Sequence, residues 1–302
     1  MFIVKKRIIF FIISIILIAG SFGVIAKYGL NYGIDFKGGS ILEVTYVDVE
    51  GSVTPTLEQV KTILSDVGLS NVLVSPRGEK GYVMKMRELS QEEKNGVIRA
   101  LTSSGANPVM VEKFNSIGPI VGDELRSKAY VAIAVVLFCI ILFILFAFRK
   151  VRNPLNYGIA TIAALAHDVI IPTGVYVLWS QYTGAEIDLL FVSALLAILG
   201  YSVHDTIVVF DRVRENVLKN SNVKNGLSFE QSVGASVTET MARSINTSLT
   251  TAIMLVALYF IGGAATQNFA FILLAGIVVG TYSSIFIASP LLVTLEGFRK
   301  NK

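Results

Sequence analysis

Apolar residues are concentrated in six long runs, which lie near residues 8–26, 129–148, 155–178, 187–210, 244–262 and 268–295. A helix needs about 20 mainly apolar residues to cross a bilayer, so each run predicts one membrane-spanning helix. The first run follows three basic residues, as in a signal peptide, but it is long and no convincing small-residue cleavage site follows it. We therefore expect a retained anchor and an α-helical bundle of six transmembrane helices.

The segment between the first two runs has the pattern of a small α+β domain. Apolar and polar residues alternate over 41–47, which predicts a strand with one buried face. Two further strands are predicted at 71–75 and 82–86, joined by a turn at 76–81. A last strand is predicted at 109–114.

Two helices are predicted between these strands. Thr54 and Pro55 have the residue types of a helix start. The residues of its apolar face are Leu57, Val60, Leu64 and Val67. Ser90 and Glu93 have the spacing of a capping box, which predicts the start of the second helix. The element order is then βαββαβ, the order of a ferredoxin-like domain.

The bulk composition agrees with a polytopic membrane protein. Hydrophobic residues make up 53% of the chain and charged residues only 16%, whereas soluble domains average about a quarter charged residues. The single cysteine, Cys139, lies in an apolar run, so no intrachain disulfide is expected. The sequence shows no nucleotide loop, no metal-ligand cluster and no nucleophile paired with a base. We therefore expect no enzyme, no cofactor and no metal site.

The basic residues indicate the orientation in the membrane. If the six spans alternate, the basic clusters all fall on one side, and the short connections 180–186 and 262–268 on the other side contain no Lys or Arg. Basic residues near membrane ends favour the cytoplasm, so both termini are predicted to be cytoplasmic and residues 36–127 extracytoplasmic. Membrane topology explains the basic residues, so no nucleic-acid partner is expected.

These patterns divide the chain into residues 1–35, which hold the first helix, residues 36–127, which form the outer domain, and residues 128–302, which hold helices two to six. A cytoplasmic amphipathic connection is expected near 213–243. Ser228 and Gln231 form its capping signal. The apolar face that we expect to lie at the inner membrane surface comprises Phe229, Val233, Val237 and Met241.

The only two histidines each precede an aspartate within an apolar run, in the pairs His167–Asp168 and His204–Asp205. A charged side chain at the bilayer centre costs about 2.5 to 3.5 kcal/mol on insertion scales, so such residues normally face a protein interior and serve a function. We therefore expect both pairs to face the bundle. The histidines are expected to be neutral hydrogen-bonding partners.

Helical spacing suggests partners for Asp205. Tyr201 and Ser202 lie on its face of the helix, so both are able to hydrogen-bond to it. The fifth run opens with a polar stripe, which comprises Arg243, Thr247, Thr250 and Thr251. We expect Arg243 to pair with Asp205 when the carboxyl group is ionised and protonation to release the pair, so that water along the stripe carries the proton onward. The membrane potential is able to drive such a cycle, because one charge crossing about 100 mV is worth about 2.3 kcal/mol.

A structural role is the alternative for the same polar residues. Hydrogen bonds between membrane helices contribute only about 0.6 kcal/mol each on average, and paired serines and threonines often do no more than this. The sixth run also carries a ridge of small residues that permits close helix contact. This ridge comprises Gly276, Gly280, Ser284 and Ala288.

Several stretches resemble one family. They are YGIDFKGGS at 32–40, SIGPIVGDEL at 116–125, AHDV at 166–169, GYSVHDTIVVFDRVREN at 200–216 and RSINTSLTT at 243–251. Together with the six spans and the large first outer loop, they make the chain similar over essentially its whole length to the SecF proteins of the SecD/SecF family, in the resistance-nodulation-division superfamily. The match in the fourth span is the longest and most specific.

The resemblance implies partners and an energy source. It implies a partner of similar architecture, SecD, and assistance to the SecYEG translocon and the SecA motor. It implies use of the proton-motive force to move translocating preproteins across the cytoplasmic membrane. Sodium remains an alternative coupling ion, since a carboxylate with hydroxyls suits either ion.

The resemblance also assigns residues. It maps the proton-coupling pair onto Asp205 and Arg243. Many family members carry asparagine at the position of His204, where this sequence departs from the family pattern. The candidate members of a relay or of a polar network in the bundle are His204, Asp168, His167, Tyr201, Ser202, Thr247 and Thr250. Asp35, Gly38 and Gly39 match the family motif at the base of the outer domain, where glycines permit unusual backbone angles and thus a hinge.

Two other functions are compatible with the same residues. A non-transporting scaffold would dock translocon partners through the small-residue ridge and the outer domain, and Asp205 would then be dispensable. Half of a small-molecule efflux transporter is less favoured, because such pumps usually carry two outer domains and twice as many spans in one chain.

Overall fold

The structure, a computed structural model, describes residues 2–47, 54–103, 108–151, 153–221 and 226–300. It divides into two compact units. One unit contains Tyr32–Tyr130, and the other contains the flanking parts, up to Asn31 and from Val131 onward.

Among the described residues, six helices are long and apolar enough to cross a membrane, which confirms the predicted number of spans. By length and composition, the candidate spans are Arg7–Tyr28, Pro119–Ala147, Pro154–Thr183, Leu189–Asn220, Phe229–Ile261 and Ala264–Phe298. The corresponding helices are α2 (Arg7–Tyr28), α6 (Pro119–Ala147), α7 (Pro154–Thr183), α8 (Leu189–Ser221) and α9 (Phe229–Ile261), and the sixth span combines α10 (Ala264–Ser283) with α11 (Ser289–Lys300). A short helix, α1 (Phe2–Lys5), precedes the first span. The chain is a multi-pass membrane protein.

The predicted amphipathic connection is not a separate surface helix. Ser228 does form the capping box with Gln231, but the helix that it starts continues without interruption to Ile261. Val233 and Val237 are buried in the core of the bundle instead of lying on a membrane surface. The sequence prediction failed because an apolar face at helical spacing fits a membrane surface and a neighbouring helix equally well.

A short π-helical segment, Ser284–Ala288, joins α10 to α11. It precedes Pro290, which lacks a backbone N–H and whose ring crowds the preceding turn. A wider turn relieves this crowding, and such π segments are often found at functional sites. The Ser289 hydroxyl donates to the Ser284 carbonyl oxygen at 3.4 Å and so satisfies part of the disturbed backbone.

The unit Tyr32–Tyr130 contains one antiparallel sheet and helices packed on it. Its elements in chain order are α3 (Ile34–Lys37), β1 (Gly39–Tyr46), α4 (Leu57–Asp66), β2 (Leu73–Arg77), β3 (Gly81–Met86), α5 (Gln91–Ser103) and β4 (Val109–Ile117). The strand order across the sheet is β2-β3-β1-β4. Alternate residues of β1, such as Leu42 and Val44, are buried against residues of α4 and α5, such as Leu64 and Leu101. The period-two pattern of the sequence therefore identifies the buried face correctly.

The helix starts in this unit are set by capping side chains. The cap of α4 is Thr56, two residues after the predicted Thr54, and Thr56 and Gln59 form a reciprocal capping box. Thr54 and Pro55 precede the helix, and the Pro55 carbonyl oxygen accepts a hydrogen bond from the Tyr82 hydroxyl at 2.6 Å. Val67 follows the last turn and is exposed, so it is not part of the buried face.

The predicted capping box at the start of α5 is confirmed. The Glu93 N–H donates to the Ser90 hydroxyl at 3.2 Å, and the Ser90 N–H donates to the Glu93 carboxylate at 2.9 Å. Arg87 also donates to this carboxylate at 2.6 Å. The Arg87 hydrogen bond, followed by that from Ser90, lowers the pKa of Glu93 to about 2 from its usual value of 4.5.

Acid is therefore expected to weaken this helix start. Because the folded state lowers the pKa of Glu93, its stabilising effect is present above about pH 4.5 and is lost as the pH falls towards about 2. An NMR titration of the glutamate carboxyl carbons in the full chain should show Glu93 titrating near pH 2. Glu93→Gln should remove this part of the acid dependence of unfolding, while Glu92→Gln should retain it. A Glu93 titration at the ordinary glutamate value would contradict the expectation.

Candidate functional site

Asp168 on α7 is the centre of a polar network inside the bundle. Its side chain is completely buried, with 0% exposure. The Ser283 hydroxyl donates to the Asp168 carboxyl oxygen Oδ2 at 2.7 Å, and the Ser202 hydroxyl of α8 donates to the same oxygen. This one carboxyl group thus links α7, α8 and the end of α10.

His167 extends this network towards α2. Its Nδ1 atom lies 2.8 Å from Oδ1 of Asp168, and its side chain is only 2% exposed. The imidazole ring stacks on Tyr282 with the ring centroids 5.9 Å apart. The Tyr282 hydroxyl donates to the Phe10 carbonyl oxygen at 3.1 Å. The other ring nitrogen, Nε2, is buried without a hydrogen-bond partner among the described residues.

Asp205 on α8 is a second buried carboxyl group with different surroundings. The Ser244 hydroxyl of α9 donates to its Oδ1 atom at 2.5 Å. The other carboxyl oxygen, Oδ2, is buried and has no hydrogen-bond partner among the described residues. Asp168 has partners on both oxygens, whereas Asp205 has a partner on one. Ser284 of the π segment also acts on the Asp205 carboxyl group, but Asp205 still has fewer hydrogen-bond partners than Asp168.

Hydroxyl groups connect the surroundings of the two carboxyl groups. Ser284, the first residue of the π segment, shares a hydrogen bond of 2.9 Å with Thr206, the residue after Asp205. Ser284 also donates to the carbonyl oxygen of Ser202, whose side chain binds Asp168. The π segment therefore lies between the two acidic residues.

A second group of hydroxyls lies beyond Ser244. Ser248 on α9 receives a hydrogen bond of 3.0 Å from the Tyr201 hydroxyl. Ser248 also shares a hydrogen bond of 2.5 Å with Thr281 on α10. Helices α8, α9 and α10 are thus joined by polar contacts as well as by packing.

The predicted contacts of Tyr201 and Ser202 with Asp205 are wrong. Ser202 binds Asp168 and Tyr201 binds Ser248. Residues three and four positions before Asp205 lie near it on the helix surface, but each is rotated away from it by tens of degrees. Hydroxyl groups on neighbouring helices have better hydrogen-bond geometry towards a buried carboxyl group, so they form the hydrogen bonds instead.

The predicted polar stripe of α9 is displaced by one residue from the face that meets Asp205. That face carries Ser244 and Ser248, which are buried. Arg243, Thr247 and Thr250 are exposed, and the hydroxyls of Thr247 and Thr250 bind carbonyl oxygens of their own helix. Neighbouring helix positions differ by about 100° in direction, so a shift of one residue moves the stripe off the contact.

Arg243 and His204 lie close enough to Asp205 to interact with its charge. Within the described ranges, however, Arg243 forms no ion pair with Asp205 at 4.0 Å or less, and both Arg243 and His204 are exposed. The Asp205–Arg243 pair therefore stays a prediction, and the structure has the carboxyl group bound to Ser244 instead.

Several hydroxyl residues of this network were not identified from the sequence, and Thr281, which binds Ser248, is one of them. The others are Thr206, Ser244, Ser248, Ser283 and Ser284. Ser284 was noticed only as a member of the small-residue ridge. The other ridge residues do pack closely: a side chain added at Gly276 would overlap Ile198, and one added at Gly280 would lie 3.2 Å from the Ser202 side chain. Three small polar residues within four consecutive positions, 281, 283 and 284, were the signal available in the sequence.

Gly38 and Gly39 lie where α3 meets β1, and their backbones require glycine. Their φ angles are +74° and +131°, in the region that residues with side chains avoid. A Cβ atom on Gly38 would lie 2.8 Å from the backbone of Pro119, and one on Gly39 would lie 2.8 Å from the carbonyl oxygen of Met86. Asp35 lies in α3 beside them. The predicted hinge is thus a tightly packed joint in this structure.

A six-helix bundle with two buried carboxyl groups and a hydroxyl network defines a class of protein: a multi-pass membrane protein with ionisable groups in its interior. Among the described residues, no group of three or more His, Cys, Asp or Glu side chains is placed to hold a metal ion. Ionisable groups in such positions are typical of proteins that move protons or ions.

Comparison with known sequences identifies the family. The chain belongs to the SecD/SecF family of protein-export membrane proteins, because the family model for the SecD/SecF C-terminal region matches residues 97–297 and that for the SecD/SecF GG motif matches residues 23–47. The protein translocase subunit SecF of Thermobaculum terrenum is 41% identical, over 97% of this chain and 93% of its own. That of Anaerolinea thermophila is 37% identical, over 97% of this chain and 94% of its own.

Solved structures give the same result. The crystal structure of SecDF from Thermus, described as a translocon-associated membrane protein, is 33% identical and matches with a TM-score of 0.78 over 97% of this chain. SecDF in a super-membrane-facing form matches with a TM-score of 0.64 over 95% of this chain. The chain spans 38% of the length of each SecDF chain.

Proposed function

We propose that this chain is a SecF-type accessory subunit of Sec protein export and that it uses the proton-motive force to promote translocation of preproteins. The observation that carries the proposal is the buried Asp205 carboxyl group, which has one oxygen bound to Ser244 and the other without a partner among the described residues. Relatives that match nearly the whole chain are named protein translocase subunits.

Asp205 is the group that changes state in this proposal. An ionised carboxylate inside a membrane protein requires a compensating partner, and Arg243 is a nearby cation that acts on it. When Asp205 loses its proton, its free oxygen pairs with Arg243. When it gains a proton, it keeps only the Ser244 bond. Each transition alters how α8 is joined to α9.

Asp168 and His167 have a supporting role. Both Asp168 oxygens already have partners on three helices, so this group holds the bundle together while Asp205 changes. The same observation favours the second candidate, a scaffold that docks translocon partners without transporting protons. The two candidates differ in whether the proton gradient matters.

The unit Tyr32–Tyr130 serves as the outer domain in this proposal. Its order of elements, βαββαβ, and its strand order β2-β3-β1-β4 support assignment to the ferredoxin-like class. The distribution of Lys and Arg supports a location in the cytoplasmic membrane with both termini in the cytoplasm and this unit outside. The unit then contacts preproteins as they leave the channel.

Partners follow from the family. SecD is the proposed partner within the membrane, and SecYEG and SecA supply the channel and the motor. The SecDF chains whose structures match are more than twice as long as this chain, which supports a functional assembly larger than the six helices described here.

Inside-out vesicles test this function. Vesicles that contain SecD, with or without this chain, would translocate a purified preprotein with SecA and ATP, and the proton gradient would be intact or collapsed by a protonophore. We expect the gradient to increase translocation several-fold only in vesicles that contain this chain. An increase of equal size without the chain would contradict the proposal. An effect of the chain that persists after collapse of the gradient would favour the scaffold.

A further inference from the structure

A cavity of about 370 Å³ lies at one end of the membrane bundle. Its lining comes from the segment that follows α6, the first turns of α7 and α9, the last turns of α8 and the last turns of α11. Successive spans run in opposite directions, so the ends of the second, fourth and sixth spans and the starts of the third and fifth lie at the same end of the bundle. The cavity is therefore at a membrane surface, at the end where the basic residues are concentrated.

Among the described residues, two cations line the cavity: Lys150, in the segment that follows α6, and Arg214, in the last turns of α8. Arg214 forms an ion pair of 2.8 Å with Asp211 through one nitrogen, Nη2, and a guanidinium group has five N–H donors, so the others are available to an anion. The one acidic lining residue, Glu296, accepts amide hydrogen bonds of 2.7 to 2.9 Å from Asn153 and Asn156. These amides orient the Glu296 carboxylate towards the start of α7.

The rest of the lining combines apolar and uncharged polar side chains. Leu218 and Leu227 are 57% and 50% exposed and lie at the cavity. Exposed leucines at the end of a membrane bundle are suited to contact acyl chains. Elsewhere in the lining, the Asn220 amide donates to the Ser232 hydroxyl at 3.0 Å, and Tyr157 is almost completely buried. An amide and two hydroxyls are suited to a hydroxylated group.

We propose that this cavity binds one anionic phospholipid of the phosphatidylglycerol type, with its phosphate between Lys150 and Arg214. Basic pockets between transmembrane helices at the cytoplasmic side are suited to anionic lipid headgroups. The glycerol hydroxyls of the headgroup then meet Asn220 and Ser232. An ethanolamine headgroup would place its ammonium group in a cavity whose single acid, Glu296, is already bound by two asparagines. A soluble phosphate would leave the apolar side of the cavity without a partner.

Native mass spectrometry of the purified full chain tests this site. The chain would be titrated with phosphatidylglycerol, phosphatidylethanolamine or phosphatidylcholine of identical acyl chains. We expect one phosphatidylglycerol molecule to be retained. A basic residue near an anionic lipid contributes about 1 kcal/mol, which is about fivefold in affinity, so Lys150→Gln should weaken binding about fivefold. The double variant Lys150→Gln with Arg214→Gln should weaken it about 25-fold, because the two contributions multiply.

Arg149→Gln is the matched control. It removes the same charge from the neighbouring position, but Arg149 stacks on Phe146 and does not line the cavity, so its binding should stay within about twofold of the parent. Lys150→Arg keeps the charge and should retain binding. The unfolding temperature without added lipid reports whether each variant is folded. If the double variant does not fold, the binding of the single variant Lys150→Gln tests the proposal.

Three results would overturn the proposal. The first is that the double variant retains phosphatidylglycerol as well as the parent chain does. The second is that the parent chain binds phosphatidylcholine as well as phosphatidylglycerol. The third is displacement of the lipid by millimolar inorganic phosphate, which would indicate a site for a soluble anion. The readout here is lipid binding, so a negative result would not contradict the proposal of gradient-dependent export. A negative result in the export assay would likewise not contradict the lipid site.

Discussion

Replacing Asp205 with asparagine should abolish the gradient-dependent part of preprotein translocation and leave the ATP-dependent part intact. The asparagine side chain has nearly the same shape as the carboxyl group, and its oxygen still accepts the hydrogen bond that Ser244 donates at 2.5 Å. It has no ionised form, however, and so cannot pair with Arg243 or release a proton. The translocation rate in inside-out vesicles, with and without a protonophore, measures the loss.

Asp211→Asn is the control for this variant. Asp211 lies on the same helix six positions later, is exposed and forms an ion pair with Arg214. The substitution removes the same charge outside the network, so gradient-dependent translocation should be retained. Both variants should be present in the membrane at parental levels. Retention of the gradient effect by Asp205→Asn would exclude Asp205 as the coupling group and leave the scaffold as the better interpretation.

The general architecture could be predicted from the sequence because its signals are local. A run of about 20 apolar residues is sufficient to identify a span, and all six were found. The elements of the unit Tyr32–Tyr130 could be predicted for a similar reason. Alternation along β1 marked the buried face, and the spacing of Ser90 and Glu93 marked the start of α5.

The partners of the buried carboxyl groups could not be predicted, because they depend on contacts between helices. Sequence spacing placed Ser202 near Asp205 on one helix, but the relative rotation of α7 and α8 directs Ser202 to Asp168. In the same way, the rotation of α9 against α8 brings Ser244, and not Arg243, to Asp205. A difference of one residue corresponds to about 100° around a helix. A small error in the predicted rotation of a helix therefore replaces one predicted partner with another.

The π segment could not be predicted from the periodicity of residue types along the sequence. A regular helix from Ala264 onward predicts one continuous face, and Gly276, Gly280 and Ser284 were assigned to it as a packing ridge. The wider turn at Ser284–Ala288 places Ser283 against Asp168 while Ser284 contacts Thr206. Pro290 was visible in the sequence, but a proline near the end of a helix is compatible with a kink, a stop or a π turn.

Replacing Gly38 with alanine should cause the largest loss of stability in the unit Tyr32–Tyr130. Its φ angle of +74° is unfavourable for alanine, at a cost of about 1 to 2 kcal/mol. The new Cβ atom would also lie 2.8 Å from Pro119 Cα and 2.9 Å from Pro119 N. These are backbone atoms that cannot rotate away, so we expect a total loss above about 2 kcal/mol. Hydrogen exchange of the β1 amides in the full chain measures this free energy.

Two other glycines separate the backbone effect from the clash. Gly78 has a φ angle of +64°, but a Cβ atom added there would meet nothing within 4 Å, so Gly78→Ala should cost only the backbone part, about 1 to 2 kcal/mol. Gly96 lies inside α5 with an ordinary φ angle and open space, so Gly96→Ala should stabilise the unit by about 0.5 to 1 kcal/mol. If Gly38→Ala cost no more than Gly78→Ala, the close packing at Pro119 would be absent in solution. The joint would then have the freedom that a hinge requires, and the interpretation of the contact between Gly38 and Pro119 as rigid would be wrong.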